Sequence, residues 1–252
     1  MKSDLSLTIG WLYPQLMSTY GDRGNVIVLQ KRCEWRKIKA EIKVIDANST
    51  NENLASCDLL MMGGAQDTQQ EVVSSDLIKK KKILSELIEK GIPGLYICGG
   101  FQYLGQYYKT AGGNKLQQLG ILDMFTENPG GKRLIGNIAI DASSLFGQKT
   151  ILIGFENHGG RTILGKNIQP LGKVLKGFGS NDKTKEEGAI YKNSIGTYLH
   201  GPILSKNPEL ADYLITKALE IKYVKQIKLE ELDDSLEKEA RLTIVKRLSV
   251  AI

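Results

Sequence analysis

The chain is poor in the residues that carry most disulfide and metal chemistry. Its 252 residues include three cysteines, two histidines and six prolines. The cysteines, Cys33, Cys57 and Cys98, form no Cys-x-x-Cys pair, which argues against a disulfide framework and against a thiolate zinc site. A sparse, odd cysteine count is typical of a reducing compartment, so we expect a cytoplasmic protein.

Long apolar runs are also missing. No window approaches the about 18 consecutive apolar residues that a membrane-spanning helix needs. Asp4 and Pro14 interrupt the first apolar stretch and no cleavage site follows, which disfavours a signal peptide. The net charge is +6, and its one tight cluster, Lys79–Lys82, is typical of a solvated helix face, so we expect no nucleic-acid partner.

Strand and helix patterns alternate over the first half of the chain. Predicted strands are Leu5–Leu12, Ile42–Ile45, Cys57–Met62 and Gly94–Ile97. Predicted helices are Asn25–Ala40, Leu77–Lys90 and one from Phe101 to about Tyr108. Because the strands lack strict apolar–polar alternation, this order predicts an α/β fold with a parallel sheet covered on both faces.

The second half has a different pattern. Three predicted strands have no long helices between them, which predicts an antiparallel extension of the sheet. They are Leu134–Asp141, Thr150–Phe155 and Gly188–Tyr198. A helix is predicted over Asn207–Lys222, and an amphipathic helical tail from about Leu229. With no linker long enough to separate domains, we expect residues 1–252 to form one domain.

The segment GLYICGGFQYLG, Gly94–Gly105, has the features of a nucleophile elbow. A strand leads into Cys98, two glycines and a helix, and such a turn exposes the sulfur in a strained backbone conformation. The start of the helix favours a thiolate. The N–H of Gly99 can point at the oxyanion that forms when a carbonyl is attacked.

A buried cysteine beside a glycine turn would explain the tripeptide equally well. The position of Cys98 at the carboxyl end of a strand favours the catalytic interpretation, since ligands bind at that edge of open α/β sheets. Cys33 lies in a helical stretch and Cys57 starts a core strand, so we interpret both as structural.

Only two histidines, His158 and His200, can serve as the general acid–base that a cysteine nucleophile requires. His200 follows the strand Ile195–Leu199 and lies, like Cys98, at a strand end. His158 lies in a loop flanked by glycines, where lining the site or holding the loop is the expected role. We therefore predict His200 as the base and keep His158 as the alternative.

Five segments together resemble the class I glutamine amidotransferases, and most closely the GatD family of glutaminase subunits of lipid II isoglutaminyl synthase. They are YPQLMSTYGDRGN (Tyr13–Asn25), GGAQDTQ (Gly63–Gln69), ICGGFQYLGQYY (Ile97–Tyr108), GFENHGGRT (Gly154–Thr162) and GTYLHGPIL (Gly196–Leu204). The similarity covers most of the chain, from about Ile9 to Lys222.

The resemblance implies a flavodoxin-like three-layer sandwich and the hydrolysis of L-glutamine to supply ammonia. It also implies a heterodimer with a Mur-ligase-like synthetase subunit of the MurT type. That partner would use ATP and Mg²⁺ to amidate the D-glutamate of lipid II to D-isoglutamine during peptidoglycan synthesis. No cofactor is expected in this chain.

Transferred onto this sequence, the family roles are nucleophile for Cys98 and base for His200. The oxyanion-hole donors would be the backbone N–H groups of Gly64 and Gly99. The residues expected to contact glutamine are Gln102, Arg133, His158 and Gly159. For Arg133, whose guanidinium fork suits a carboxylate, the assignment depends on the resemblance, because the residue alone is equally typical of a surface arginine.

One position departs from the family pattern. Class I amidotransferases usually have an acid two residues after the base, where this chain has Pro202. The third member of a triad is therefore expected from elsewhere, with the partner subunit as one source.

Two other functions stay open: a cobyrinate-type amidotransferase with another acceptor, and a degenerate amidotransferase kept as a binding scaffold.

Overall fold

The computed structural model describes residues 5–65 and 67–250, and within these ranges it describes every side chain except those of 67–72. Position 66, in the GGAQDTQ segment, lies outside the described residues. The strands are β1 (Ser6–Leu12), β2 (Lys39–Ile45), β3 (Leu59–Met62), β4 (Gly94–Ile97), β5 (Tyr107–Lys109), β6 (Lys115–Gln117), β7 (Met124–Glu127), β8 (Leu134–Asp141), β9 (Ile151–His158), β10 (Arg161–Leu164), β11 (Gly172–Lys176), β12 (Glu186–Glu187), β13 (Ala189–Tyr191) and β14 (Ser194–Thr197). The helices are α1 (Arg23–Trp35), α2 (Asn51–Ala55), α3 (Asp67–Glu89), α4 (Gly99–Leu104), α5 (Ser143–Phe146), α6 (Pro208–Tyr223) and α7 (Ser235–Arg247).

A six-stranded sheet in the order β13-β14-β4-β3-β1-β2 forms the centre of the fold. Five of its strands are parallel, and β13 pairs antiparallel with β14 at one edge. Every residue of β3, β4 and β14 is buried. The predicted α/β fold with a mostly parallel sheet and antiparallel additions is confirmed, and full burial explains why these strands show no alternation.

Two smaller four-stranded sheets are attached to the central one, in the orders β10-β7-β5-β6 and β12-β11-β8-β9. Strands β8 and β9 pair antiparallel over eight residues each, from Leu134 opposite His158 to Asp141 opposite Ile151. This pairing places the residues just before β8 next to the end of β9. No helix formed by the described residues is long and apolar enough to cross a membrane.

Several predicted boundaries were wrong, for local backbone reasons. Helix α1 ends at Trp35, not at residue 40, because Lys37 adopts a left-handed conformation with φ of 59° and the chain turns directly into β2. Helix α3 starts ten residues earlier than predicted. The predicted strand Gly188–Tyr198 is instead the hairpin of β13 and β14, which turns at Lys192 with φ of 54°.

A buried arginine ties the C-terminal tail to the body. The Arg32 side chain is 2% exposed and donates through Nε to Asp212 Oδ1 at 2.7 Å and through Nη1 to Asp234 Oδ1 at 2.6 Å. Asp212 belongs to α6 and Asp234 directly precedes α7, the helix of the predicted tail. Arg32 therefore links three helices that are distant in sequence.

Replacing Arg32 by alanine is expected to lower the free energy of unfolding by about 3 kcal/mol, because it leaves Asp234 without its cation. Asp212 keeps its ion pair with Arg36 at 2.7 Å. Asp212 is 28% exposed, which limits the cost. Chemical denaturation measures the change. Lys31→Ala on the same helix is the control, since its ion pair with Glu34 is solvent-exposed and should contribute little. Equal stability of both variants would contradict the role of Arg32.

Candidate active site

Cys98 occupies the sharp turn between β4 and α4. Its φ of 52° and ψ of −105° lie in a region that non-glycine residues rarely adopt. The Cys98 N–H donates to the Thr197 carbonyl at 2.8 Å, and the Gly100 N–H donates to the Gly63 carbonyl at 3.2 Å. A Cβ on Gly100 would lie 2.7 Å from the Met62 carbonyl oxygen, so the turn requires glycine there. The structure has the strained elbow that the sequence predicts.

His200 lies three residues beyond the end of β14 and is fixed by a short antiparallel bridge to β9. Its N–H donates to the Phe155 carbonyl at 2.9 Å and its carbonyl accepts from the Phe155 N–H at 3.1 Å. A Cβ built on Gly64 would lie 3.1 Å from Cys98 Cβ and 3.1 Å from His200 Cε1. The side chains of Cys98 and His200 therefore meet at the same glycine.

Asp22, which is not among the predicted site residues, is hydrogen-bonded to His200. Its Oδ1 lies 3.2 Å from His200 Nδ1, and its Oδ2 accepts from the Gly64 N–H at 2.7 Å. Asp22 and His200 are each 1% exposed. The acid that Pro202 does not provide is thus supplied by this chain, 178 residues before His200. The only signal for it was its place in the YGDRGN segment.

The charge on His200 follows from these neighbours. Burial opposes protonation of the ring, but interactions with Asp22 and Cys98 outweigh burial and raise the pKa of His200 to about 10. Its Nε2 has no hydrogen-bond partner within the described ranges. A protonated His200 places a positive charge beside the Cys98 side chain.

Cys98 and His200 line a cavity of about 350 Å³, a size typical of small-molecule sites. Seven of the eight predicted site residues line it; only Gly99 does not. The complete lining is Thr19, Tyr20, Gly64, Ala65, Cys98, Gln102, Tyr108, Asn128, Arg133, His158, Gly159, Gly160 and His200.

Two polar side chains of the predicted set are held by neighbours. Arg133 donates through Nε to Asn157 Oδ1 at 2.9 Å and through Nη2 to the Asn157 carbonyl at 2.8 Å. Gln102 is buried and donates through Nε2 to the Tyr198 hydroxyl at 3.1 Å. Asn157 thus orients the guanidinium at the cavity, and Tyr198 orients the amide.

His158 forms part of the cavity wall. Its ring stacks on Tyr198 with centroids 3.7 Å apart and planes 8° apart. Nδ1 lies 2.7 Å from the Gly160 carbonyl, to which it donates. Burial lowers the pKa of His158 to about 3, so the ring is neutral at physiological pH. This environment suits a wall and disfavours His158 as the base.

The two predicted oxyanion donors differ in availability. The N–H of Gly99 has no acceptor in the described part of the chain, and it belongs to the residue that follows the nucleophile. The N–H of Gly64 donates to Asp22. Gly64 would have to give up that hydrogen bond to stabilise an oxyanion, and its role stays a prediction.

Comparisons with known proteins place the chain in a family. The model of the CobB/CobQ-like glutamine amidotransferase domain matches residues 8–208. Subunit GatD of the glutamine-hydrolyzing lipid II isoglutaminyl synthase of Staphylococcus aureus is 43% identical over 242 residues, covering 96% of both chains. The Streptococcus pneumoniae protein of the same name is 41% identical and covers 92% of this chain and 88% of its own length.

Among solved structures, the glutaminase domain of Trypanosoma brucei CTPS with bound acivicin matches with a TM-score of 0.54 at 12% identity, over 89% of this chain and 96% of that domain. At this identity the match supports the fold alone. The family model and the two GatD sequences show that the chain belongs to the CobB/CobQ-like glutamine amidotransferases and, within them, to the GatD family.

Proposed function

We propose that this chain is the glutaminase subunit of a lipid II isoglutaminyl synthase. It hydrolyses L-glutamine through a Cys98 thioester and passes ammonia to a Mur-ligase-like partner. The observation that carries the proposal is the convergence of Cys98, His200 and Asp22 on one cavity. The names of the two GatD relatives support lipid II as the acceptor. We propose that the D-glutamate of lipid II is amidated and that the reaction belongs to peptidoglycan synthesis.

The first half of the cycle releases ammonia. The cycle starts with His200 protonated, and the Cys98 thiolate attacks the carboxamide carbon of glutamine. The N–H of Gly99 stabilises the oxyanion, and Arg133 pairs with the substrate carboxylate. Protonated His200 donates its proton to the amide nitrogen, the C–N bond breaks, and ammonia leaves a thioester on Cys98.

The second half restores the enzyme. Water attacks the thioester carbon while His200 takes a proton from it. The C–S bond breaks, glutamate leaves, and the Cys98 thiolate is restored beside protonated His200. Asp22 holds the imidazole through Nδ1 and stabilises its charge throughout. No step requires a cofactor in this chain, and we place ATP and Mg²⁺ in the partner.

Ammonia loses its nucleophilicity once it is protonated in bulk water, so efficient transfer needs a sealed route between subunits. We therefore propose a cytoplasmic heterodimer with a MurT-type synthetase subunit. A cobyrinate-type role is less well supported, because the two relatives covered almost end to end are GatD subunits. The side chains required for hydrolysis are all present, which also disfavours a degenerate scaffold.

Cys98→Ala is expected to reduce glutamate release from glutamine by at least about 1,000-fold, because no thioester can form. The assay compares the chain alone with the chain co-purified with its partner. Cys57→Ala is the control, since Cys57 is buried two residues before β3 and does not line the cavity. Release that persists without Cys98 in both preparations would contradict the mechanism.

Asp22→Asn is expected to lower kcat by about 100- to 10,000-fold, as a triad acid does when it is neutralised. Because Asp22 raises the pKa of His200, its loss should move the alkaline limb of the pH profile of kcat/KM to lower pH. Steady-state kinetics between pH 6 and 10 measure both effects.

The matched control for Asp22→Asn is Glu34→Gln on the neighbouring helix, where the carboxylate is exposed. Its kinetics should equal those of the parent protein. A variant at position 22 with an unchanged pH profile would show that the orienting acid comes from the partner instead.

Arg133→Ala is expected to raise the KM for glutamine by about 10- to 100-fold with a smaller change in kcat, the effect of losing charge-assisted hydrogen bonds to a carboxylate. Arg133→Lys should recover only part of the loss, since lysine lacks the planar fork. Lys132→Ala, at the exposed neighbouring position, is the control. A fall in kcat at constant KM would assign Arg133 another role.

A further inference from the structure

Glu187 is a buried acid that the proposed cycle does not use. It ends the short strand β12 and is 0% exposed. Among the described residues it forms no ion pair. An uncompensated carboxyl in the interior is costly unless hydrogen bonds satisfy it, so its partners indicate its role.

Those partners belong to the segment that carries His200. The Glu187 carboxyl accepts from the Tyr198 N–H at 2.6 Å and from the Thr197 hydroxyl at 3.0 Å. Strand β14 ends at Thr197, so from Tyr198 onward the chain leaves the central sheet. Glu187 supplies the acceptor that the buried Tyr198 N–H would otherwise lack at this point.

The same short segment contacts the nucleophile. The Thr197 carbonyl accepts from the Cys98 N–H at 2.8 Å, and the Thr197 hydroxyl oxygen accepts from the Leu199 N–H at 3.0 Å. His200 follows directly. The Glu187 carboxyl thus sets the path of the chain from Thr197, which is hydrogen-bonded to the nucleophile, to His200, the base.

Tyr198 extends this arrangement to the cavity wall. Its ring stacks on His158, and its hydroxyl forms hydrogen bonds with Gln102 at 3.1 Å and with Thr162 at 2.6 Å. A displacement of Tyr198 would therefore move the wall as well as His200. Thr162 bonds in turn to Thr126 at 2.8 Å, which ties the network to the small sheet of β7 and β10.

A second buried acid, Glu156, supports the neighbouring loop. Its two oxygens accept from the N–H groups of Phe178 and Gly179 at 2.8 and 3.0 Å.

Burial raises the pKa of Glu187 to about 8, with a further contribution from Glu156 in the same direction. Glu187 is thus largely an uncharged hydrogen-bonding group at neutral pH.

We propose that Glu187 is a positioning residue, whose buried carboxyl holds Thr197 and Tyr198 so that His200 stays against the sulfur of Cys98. The inference rests on the proposed glutaminase reaction. In this proposal Glu187, which lies outside the cavity, fixes the distance between the nucleophile and the base.

The test compares Glu187→Ala, Glu187→Gln and the adjacent control Glu186→Gln in the complex with the partner. Glu187→Ala should lower kcat for glutamine hydrolysis by about 30- to 100-fold while KM changes less, because a small misplacement of a reacting group costs rate in this range. Glu187→Gln keeps an oxygen for the Tyr198 N–H and should recover part of the loss. The control should match the parent protein.

Alkylation of Cys98 by iodoacetamide, followed by mass spectrometry from pH 5 to 9, gives a readout that does not require turnover. When His200 is displaced, the sulfur loses its cationic neighbour, so the alkylation profile should shift to higher pH, as in His200→Ala. A folded Glu187→Ala with unchanged alkylation and kcat within twofold of the parent would overturn the proposal. Should the alanine variant not fold, the same criteria apply to Glu187→Gln.

The two readouts separate this inference from the proposed function. If the parent complex releases no glutamate while the alkylation profiles still shift, Glu187 positions His200 and the proposed reaction is wrong. If the parent releases glutamate and no profile shifts, the reaction stands and the role of Glu187 is refuted.

Discussion

A buried carboxylate, Asp22, connects the parts of the site that come from different strands. One oxygen contacts the ring of His200 and the other accepts the Gly64 N–H. Asp22 lies beyond β1, Gly64 beyond β3, Cys98 beyond β4 and His200 beyond β14. These four strands are parallel neighbours in the order β14-β4-β3-β1, so their carboxyl ends meet at one edge, where the site forms.

The fold and the site differ in how far sequence alone predicts them. The buried strands, the elbow at Cys98 and the base at His200 follow from local signals, since each depends on a few adjacent residues. Strands β5, β6, β7, β10, β11 and β12 escape prediction because they are two to five residues long, too short to show a period. Their positions depend on pairing with distant strands, which no local pattern encodes.

The roles of Asp22 and Glu187 are also not predictable from local sequence. Each acts through a contact with the segment around His200, and neither belongs to a short motif whose spacing implies that contact. A search for an acid two residues after the base finds Pro202 and misses Asp22, because hydrogen bonding depends on distance in space. Conversely, Arg133 and Gln102 were found only through family resemblance, yet both line the cavity.

The buried acids Asp22 and Glu187 have different electrostatic roles. Asp22 is paired with a histidine whose pKa it raises, so charge is kept at the reacting atoms. Glu187 accepts backbone and hydroxyl donors and forms no ion pair with any residue that the structure describes, and burial raises its pKa to about 8. One carboxyl therefore tunes chemistry and the other shapes the chain, although both are almost fully removed from solvent.

The glycines around the cavity limit which substitutions could narrow it against an inhibitor. A Cβ on Gly64 would press on Cys98 and His200 at 3.1 Å, and one on Gly160 would lie 2.6 Å from Thr126 Cγ2. A substitution that narrows the cavity against a glutamine-like electrophile would thus disturb the residues that turnover needs. We therefore expect substitutions at these glycines to cost activity, which makes these walls favourable contact points for an inhibitor.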